Sequence, residues 1–323
     1  MQGIFLISLD FELMWGIRYQ HNVGAYRANI LGARQAIPAM LKLFHEYGIH
    51  ATWATVGLLF FSNKEDMIRA RPQVRPAYEL SPLSAHNDIK AVGTDESQDP
   101  YHFGHSLIQM VRSFPGQEIG SHTFSHYHCL DPDQDVHAFR ADLEAASLAA
   151  RTMGLEIQSI VFPLNQINIM YLKICTKSGL KCYRGTEKAW FYASGGKEGE
   201  SSVTRAHRLL DAFVNISGHN TYKPEHTNGI VNLPASRFLR PYNPRLSMLD
   251  GLKFQRITSG IKHAARHGEI YHLWWHPHNF GSYLNENLIF LRRIFDFVSQ
   301  MRNQYGMRSL TMGEASQLPS HVC

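Results

Sequence analysis

Three pairs of residues stand out as able to do chemistry. Asp10 and Glu12 lie two apart in SLDFE, His122 and His126 lie four apart in SHTFSH, and His276 and His278 flank a proline in WWHPH. On a helical turn, an i, i+4 pair presents both imidazoles on one face, close enough to share a metal ion. An isolated HxxxH is weak evidence in a chain with nineteen histidines. A lone acid at a strand tip is equally compatible with a cap or a salt bridge. Two acids separated by one residue, however, face the same side of a strand. One of them can accept a proton, and histidine, titrating near about 6.5, can donate one at neutral pH.

The elements needed to position these residues can be read from the pattern. Gly3 to Leu9 is an apolar run ending at Asp10, a buried strand with an acid at its C-terminal tip. Ile30, Ala33, Ile37, Met40, Leu41 and Phe44 recur at helical spacing, with Pro38 as a kink or late start and Gly48 as the stop. Ile49 to Val56 makes a second strand. Such a βαβ unit implies parallel strands with helices outside.

Residues 62–115 read as an excursion from this scaffold, rich in proline, histidine, asparagine and charges. GQEIGSHTFSH restores order, and the helix after it is expected to take Asp131 as N-cap and Pro132 as its first residue, ending at Gly154. The pattern then gives a strand over Ile157 to Phe162, a helix over Ile169 to Lys177 and a strand over Leu180 to Tyr183. Residues 192–202 and 215–230 read as loops. A helix over Ser247 to His267, a strand over Glu269 to Trp275 and a helix over Glu286 to Tyr305 follow, and Thr311 and Glu314 form a capping box. About six βα units make an α/β barrel of one domain, with chemistry expected at the strand C-termini.

Composition narrows the class. Of 323 residues, 44% are hydrophobic and 18% charged, an ordinary balance for a chain that buries a sizeable core. The net charge is +5, but the basic residues are scattered, which argues against nucleic-acid binding. The ridge RFLR, Arg237 to Arg240, offers two cations for an anion or for solvent. Cys129, Cys175, Cys182 and Cys323 show no CxxC spacing, so reduced thiols of a cytoplasmic protein are expected. No run of about 18 apolar residues is present, and the N-terminal MQGIFLISLDFE, without a basic n-region or a long apolar run, does not read as a signal peptide, so no membrane association is expected.

SHTFSH after a strand resembles the H-[ST]-x-x-H element of the polysaccharide deacetylases, the NodB-homology family of carbohydrate esterases. SLDFE is similar to their first motif, GIHATWATVG to their second strand, and LWWH at Leu273 to His276 to their late L-x-x-H motif. The resemblance runs from Ile4 to about Glu314, with 62–115 and 190–245 looking like insertions. It implies a distorted (β/α)7-type barrel and hydrolysis of an N-acetyl amide or O-acetyl ester of a sugar or surface-polysaccharide precursor. It also implies one divalent metal ion on Glu12, His122 and His126, with Zn the first expectation and Ni, Co or Mn suited to the same donors. Asp10 becomes the base and His276 the acid, with His278 as the alternative acid. His128 and Cys129 read as packing residues.

Trp15, just past the acids, and Asn165, in VFPLNQ, are the candidate substrate contacts; the other tryptophans read as core. One position departs from the family. Where its third motif carries an arginine that orients the base, here stands Leu164, so Asp10 is expected to titrate higher than in relatives that carry the arginine, and turnover to be low. Two further readings follow: an amidohydrolase of small amides on the same fold, and a non-catalytic carbohydrate-binding relative. The sequence leaves the oligomeric state open.

Overall fold

The computed structural model describes residues 2–18, 23–76, 84–192, 201–227 and 229–318. The first strand, β1 (Ile4–Phe11), is buried along its whole length, as a central parallel strand covered on both faces must be. Helix α1 (Val23–Tyr47) runs through Pro38 and ends at Gly48, whose φ of 58° is the left-handed conformation that closes a helix. It leads to β2 (Ala51–Thr55), parallel to β1 and paired Ser8 to Thr52 through Phe11 to Thr55.

The excursion 62–115 carries the short helices α2 (Lys64–Arg69) and α3 (Ala85–Asp88). It also carries α4 (His105–Ser113), whose Leu107, Ile108 and Val111 are buried in the main core. The stretch is thus more than an insertion: α4 is the crossover from β2 to β3 (Gln117–Ser121). Its apolar stripe was obscured by the polar run before it.

Helix α5 (Val136–Thr152) begins later than expected. Its N-cap is Asp135, whose carboxylate accepts the N–H groups of His137 and Ala138, whereas Asp131 is buried and bonded to His128. Strand β4 (Ser159–Ile160), helix α6 (Ile169–Lys177, capped by Asn168) and strand β5 (Cys182–Tyr183) continue the alternation. Helix α7 (Ser202–Asp211) and strands β6 (Glu225–Thr227), β7 (Ile230–Asn232) and β8 (Arg237–Phe238) occupy the stretch 190–245 expected as an insertion, β6 falling within the expected loop 215–230. Helix α8 (Asp250–His267), strand β9 (Ile270–Trp275), helix α9 (Leu284–Tyr305), strand β10 (Arg308–Leu310) and helix α10 (Met312–Ser316) complete the described chain. The Thr311–Glu314 capping box is present in full.

The segment from β7 to β8 closes the barrel. Val231, Leu233 and Ala235 donate to the carbonyls of Lys181, Tyr183 and Gly185, after which Ser236 and Leu239 donate to those of His272 and Trp274. The chain thereby passes from the β5 edge to the β9 edge, and β9 pairs in turn with β1. The circuit β1, β2, β3, β4, β5, β7–β8, β9 is a distorted (β/α)7 barrel. The parallel strands point their C-termini to one mouth, where side chains from different strands converge.

Cys129, Cys175 and Cys182 are buried free thiols, and Cys323 lies outside the described residues. No described helix is long and apolar enough to cross a membrane.

Candidate metal centre and acid–base cleft

The mouth of the barrel holds a cleft of about 250 Å³, lined among others by Asp10, Glu12, His122, His126, Trp274 and His276. Glu12, His122 and His126 bring one ligand atom each to within 4.8 Å of one another, and all three are buried. The Glu12 Oε2 atom lies 3.1 Å from His126 Nε2 and 3.4 Å from His122 Nε2. His122 Nδ1 donates to the Val161 carbonyl at 2.9 Å, which leaves its Nε2 lone pair facing the group. A carboxylate and two imidazoles are a suitable donor set for a borderline divalent ion. Gly16 makes room for the Glu12 carboxylate: a Cβ there would stand 1.9 Å from Glu12 Cδ.

The two histidines are not on a helix. SHTFSH leaves β3 as a loop in which Thr123 (φ 62°) and His126 (φ 56°) are left-handed, a conformation that costs non-glycine residues about 1–2 kcal/mol each. The loop is therefore held from several sides. Asp142 of α5 accepts the backbone N–H groups of Phe124 (2.6 Å) and Ser125 (3.1 Å) and the Ser125 hydroxyl. Thr123 Oγ1 accepts the N–H of Tyr127 at 2.7 Å. From the turn after β2, Gly57 and Leu58 donate to the carbonyls of Thr123 and Phe124, and a side chain at 57 would collide with the Phe124 backbone at 2.8 Å. His128 is buried behind the loop, its Nδ1 2.8 Å from Asp131 Oδ2.

Asp10 faces the same cleft, and its carboxylate is gripped by a residue that the sequence reading missed. Arg184, the first residue after β5, donates Nη1 to Oδ1 at 2.6 Å and Nη2 to Oδ2 at 2.8 Å. Burial alone would raise the Asp10 carboxyl, but the Arg184 guanidinium prevails, aided by His122 and His276, and holds it below the ordinary aspartate value. The cation expected to be missing at Leu164 is thus supplied by Arg184. Leu164 sits at the cleft rim, 44% exposed, with a φ of 55°.

Arg184 is itself positioned from below. Its Nη1 donates to Ser8 Oγ at 2.9 Å and its Nη2 to Asn165 Oδ1 at 2.9 Å, and the guanidinium lies 4.2 Å from the centre of the Trp274 ring. Ser8 Oγ stands 2.9 Å from His272 Nε2, and His272 Nδ1 stands 3.1 Å from the Leu233 carbonyl. Burial pushes His272 down to about 3, so it is neutral, donating through Nδ1 and accepting from the Ser8 hydroxyl. The sequence carries only scattered parts of this arrangement: Ser8 and Asp10 alternate on β1, His272 and Trp274 on β9 with His276 just past its end, and an arginine directly follows the β5 run.

His276 Nε2 is 3.8 Å from Asp10 Oδ2 and 3.6 Å from Glu12 Oε1, and its side chain is 24% exposed at the mouth. His278 also lines the cleft but is buried, and burial with the neighbouring His276 pushes it down to about 3. Glu12 is held well below the usual carboxylate range: burial opposes this, and His276, His122 and His126 outweigh it.

Of the two expected substrate contacts, Asn165 lines the cleft, with its carbonyl oxygen on Arg184. Trp15 does not reach it. It is fully buried and donates its indole N–H to the His102 carbonyl at 2.8 Å, so it offers no ring face to a ligand. The aromatic wall of the cleft is the half-buried Trp274, which the sequence suggested was core, with Phe238 of the expected 190–245 insertion at 4.7 Å.

Similarity to solved structures agrees with this architecture. A protein assigned as a polysaccharide deacetylase from Mycobacterium smegmatis superposes with a TM-score of 0.59 at 12% identity, over 97% of this chain and 88% of that one. The fold is deacetylase-like. Puue allantoinase superposes with a TM-score of 0.54 at 12% identity over 97% and 89% of the two chains. The α-amylase AmyC from Thermotoga maritima gives 0.56 at 13% identity over 99% and 76%. No protein-family model and no curated relative matches the chain.

Proposed function

We propose that the protein is a metal-dependent hydrolase that removes an acetyl group from a sugar or a polysaccharide precursor, with an N-acetyl amide as the first expected bond. The observation that carries this reading is the meeting of a Glu/His/His donor group, an arginine-held carboxylate and a partly exposed histidine in one cleft.

Glu12, His122 and His126 would hold one divalent ion, zinc by first expectation. When bound, such an ion supplies Lewis acidity that polarises an acyl oxygen and makes water acidic near neutral pH. The chain's own groups do the rest. Asp10, kept ionised by Arg184, accepts the proton of the attacking water. His276, at the open side of the same cleft, donates a proton to the departing nitrogen, which leaves poorly without one. Trp274 and Phe238 give an apolar wall for a sugar ring.

Because Arg184 supplies the cation absent at Leu164, the motive for a non-catalytic reading falls away. The test is acetate release from a panel of N- and O-acetylated sugars, before and after metal removal and replacement. Metal-dependent release supports the reading. Release from none of them, with hydrolysis of small linear or cyclic amides instead, replaces it with an amidohydrolase.

A further inference from the structure

A second cleft, of about 160 Å³, lies just beyond the aromatic wall. It is lined by Arg240, Tyr242, Asn243, Lys253 and the carboxylate-bearing Asp250, with Leu209 of α7 and Phe213 as its apolar side. Arg240 is two residues past Phe238, roughly 7 Å along an extended chain. As β8 runs parallel to β9, this places it at the same barrel mouth as the metal donors.

The charges around this cleft are unevenly compensated. Arg237 and Arg256 share the buried carboxylate of Asp211, at 3.1 and 3.3 Å, and Lys253 is 2.8 Å from Asp250. Arg240 is only partly exposed, and no described side chain pairs with its guanidinium. Burial lowers its pKa; Tyr192 opposes this, and the neighbouring guanidiniums of Arg208 and Arg237 add to the lowering. A desolvated cation facing like charges is costly until an anion completes it. The planar fork of a guanidinium matches the paired oxygens of a phosphate.

We propose that this cleft binds a phosphate group through Arg240, so that the substrate, on the reading above, is an acetylated sugar carrying a phosphate. Exposed apolar residues close in sequence to the lining, Leu210, Val214, Met248 and Leu252, leave two sources for that group: a soluble sugar phosphate or a lipid-borne one.

The test begins with direct binding of inorganic phosphate by calorimetry. Wild type is expected to bind in the millimolar range, Arg240→Gln to lose affinity roughly tenfold or more, and Arg240→Lys to fall between. Thermal melting checks that each variant is folded. Acetate release from N-acetylglucosamine 1-phosphate should lose about the same factor in Arg240→Gln, chiefly through KM, while release from uncharged N-acetylglucosamine stays as in wild type. Co-sedimentation with phosphatidylcholine vesicles, with and without phosphatidic acid, separates the sources: Arg240-dependent capture by acidic vesicles selects a lipid phosphate, and its absence alongside phosphate binding selects a soluble one. No phosphate binding by wild type, or equal binding by Arg240→Gln, overturns the site. Arg240-dependent phosphate binding without acetate release from any sugar leaves the site standing and removes the deacetylase reading.

Discussion

Arg184 and Asp10 form a two-pronged ion pair across the barrel mouth, with both carboxylate oxygens engaged at 2.6 and 2.8 Å. The arginine arrives from the end of β5, one strand further round than the position occupied by Leu164 after β4. The same electrostatic task is therefore performed from a different backbone site, because neighbouring strand tips of a barrel converge on one volume.

Removing this pair should expose its purpose. Arg184→Met keeps most of the side-chain bulk against Trp274 while deleting the charge, so Asp10 loses the interaction that offsets its burial and its pKa rises. Below the raised pKa the base is protonated. The acidic limb of the kcat/KM profile is thus expected to move up by about 1–3 pH units. Leu164→Arg, by contrast, should leave rate and profile unchanged, since the carboxylate it would serve is already occupied. A gain of activity in Leu164→Arg would show that Arg184 does not fill this role.

The parts legible in the sequence were those with local signals. β1 is one continuous apolar run, α6 matches its predicted bounds because Asn168 caps it, and Gly48, Gly154 and Gly268 all close helices with positive φ. What escaped was non-local. The strand that closes the barrel is only a few residues long on each side and is identified by its partners, Lys181 through Gly185 and His272 through Trp274, which lie far away in sequence. Arg184 belongs to no recognisable local pattern until Ser8 and Asp10 are beside it. Trp15 and Trp274 exchanged expected places for the same reason: nearness to Glu12 in sequence does not give access to the cleft, and only the packing of the 102 region over Trp15 decides it.

The metal claim has its own measurement. Elemental analysis of purified protein, or titration of chelator-treated protein with Zn²⁺, should give one equivalent per chain, and Glu12→Gln, His122→Ala or His126→Ala should each abolish tight uptake. His128→Ala, one ring behind His126, should retain the stoichiometry. Uptake that survives loss of two donors would place the ion elsewhere.

The roles of acid and base separate by mutation. Asp10→Asn and His276→Ala should each reduce kcat roughly 10²–10⁴-fold with metal content unchanged. His278→Ala should cost much less, because its ring is buried behind His276 and held neutral by that burial. A large loss in His278→Ala, with near-normal turnover in His276→Ala, would reverse the assignment.

The last prediction concerns stability rather than turnover. Asp211 is wholly buried where α7 ends, and its carboxylate is held below the ordinary aspartate value: burial opposes this, and Arg237 and the hydrogen bonds from Ser217 outweigh it. Asp211→Asn leaves two buried guanidiniums, those of Arg237 and Arg256, without their anion, so a loss of about 3–5 kcal/mol at pH 7 is expected. The sign of the pH dependence follows from the lowered value. Unfolded chains take up a proton at this residue near pH 3.9, folded ones only at lower pH, so its contribution is complete above about pH 4 and is lost as pH falls toward the folded value. Chemical denaturation of wild type and Asp211→Asn from pH 7 to pH 3 should therefore show a gap that is constant at first and narrows below about pH 4. A gap that stays constant to pH 3 would mean that the cost of the substitution comes from packing and not from the carboxylate's charge.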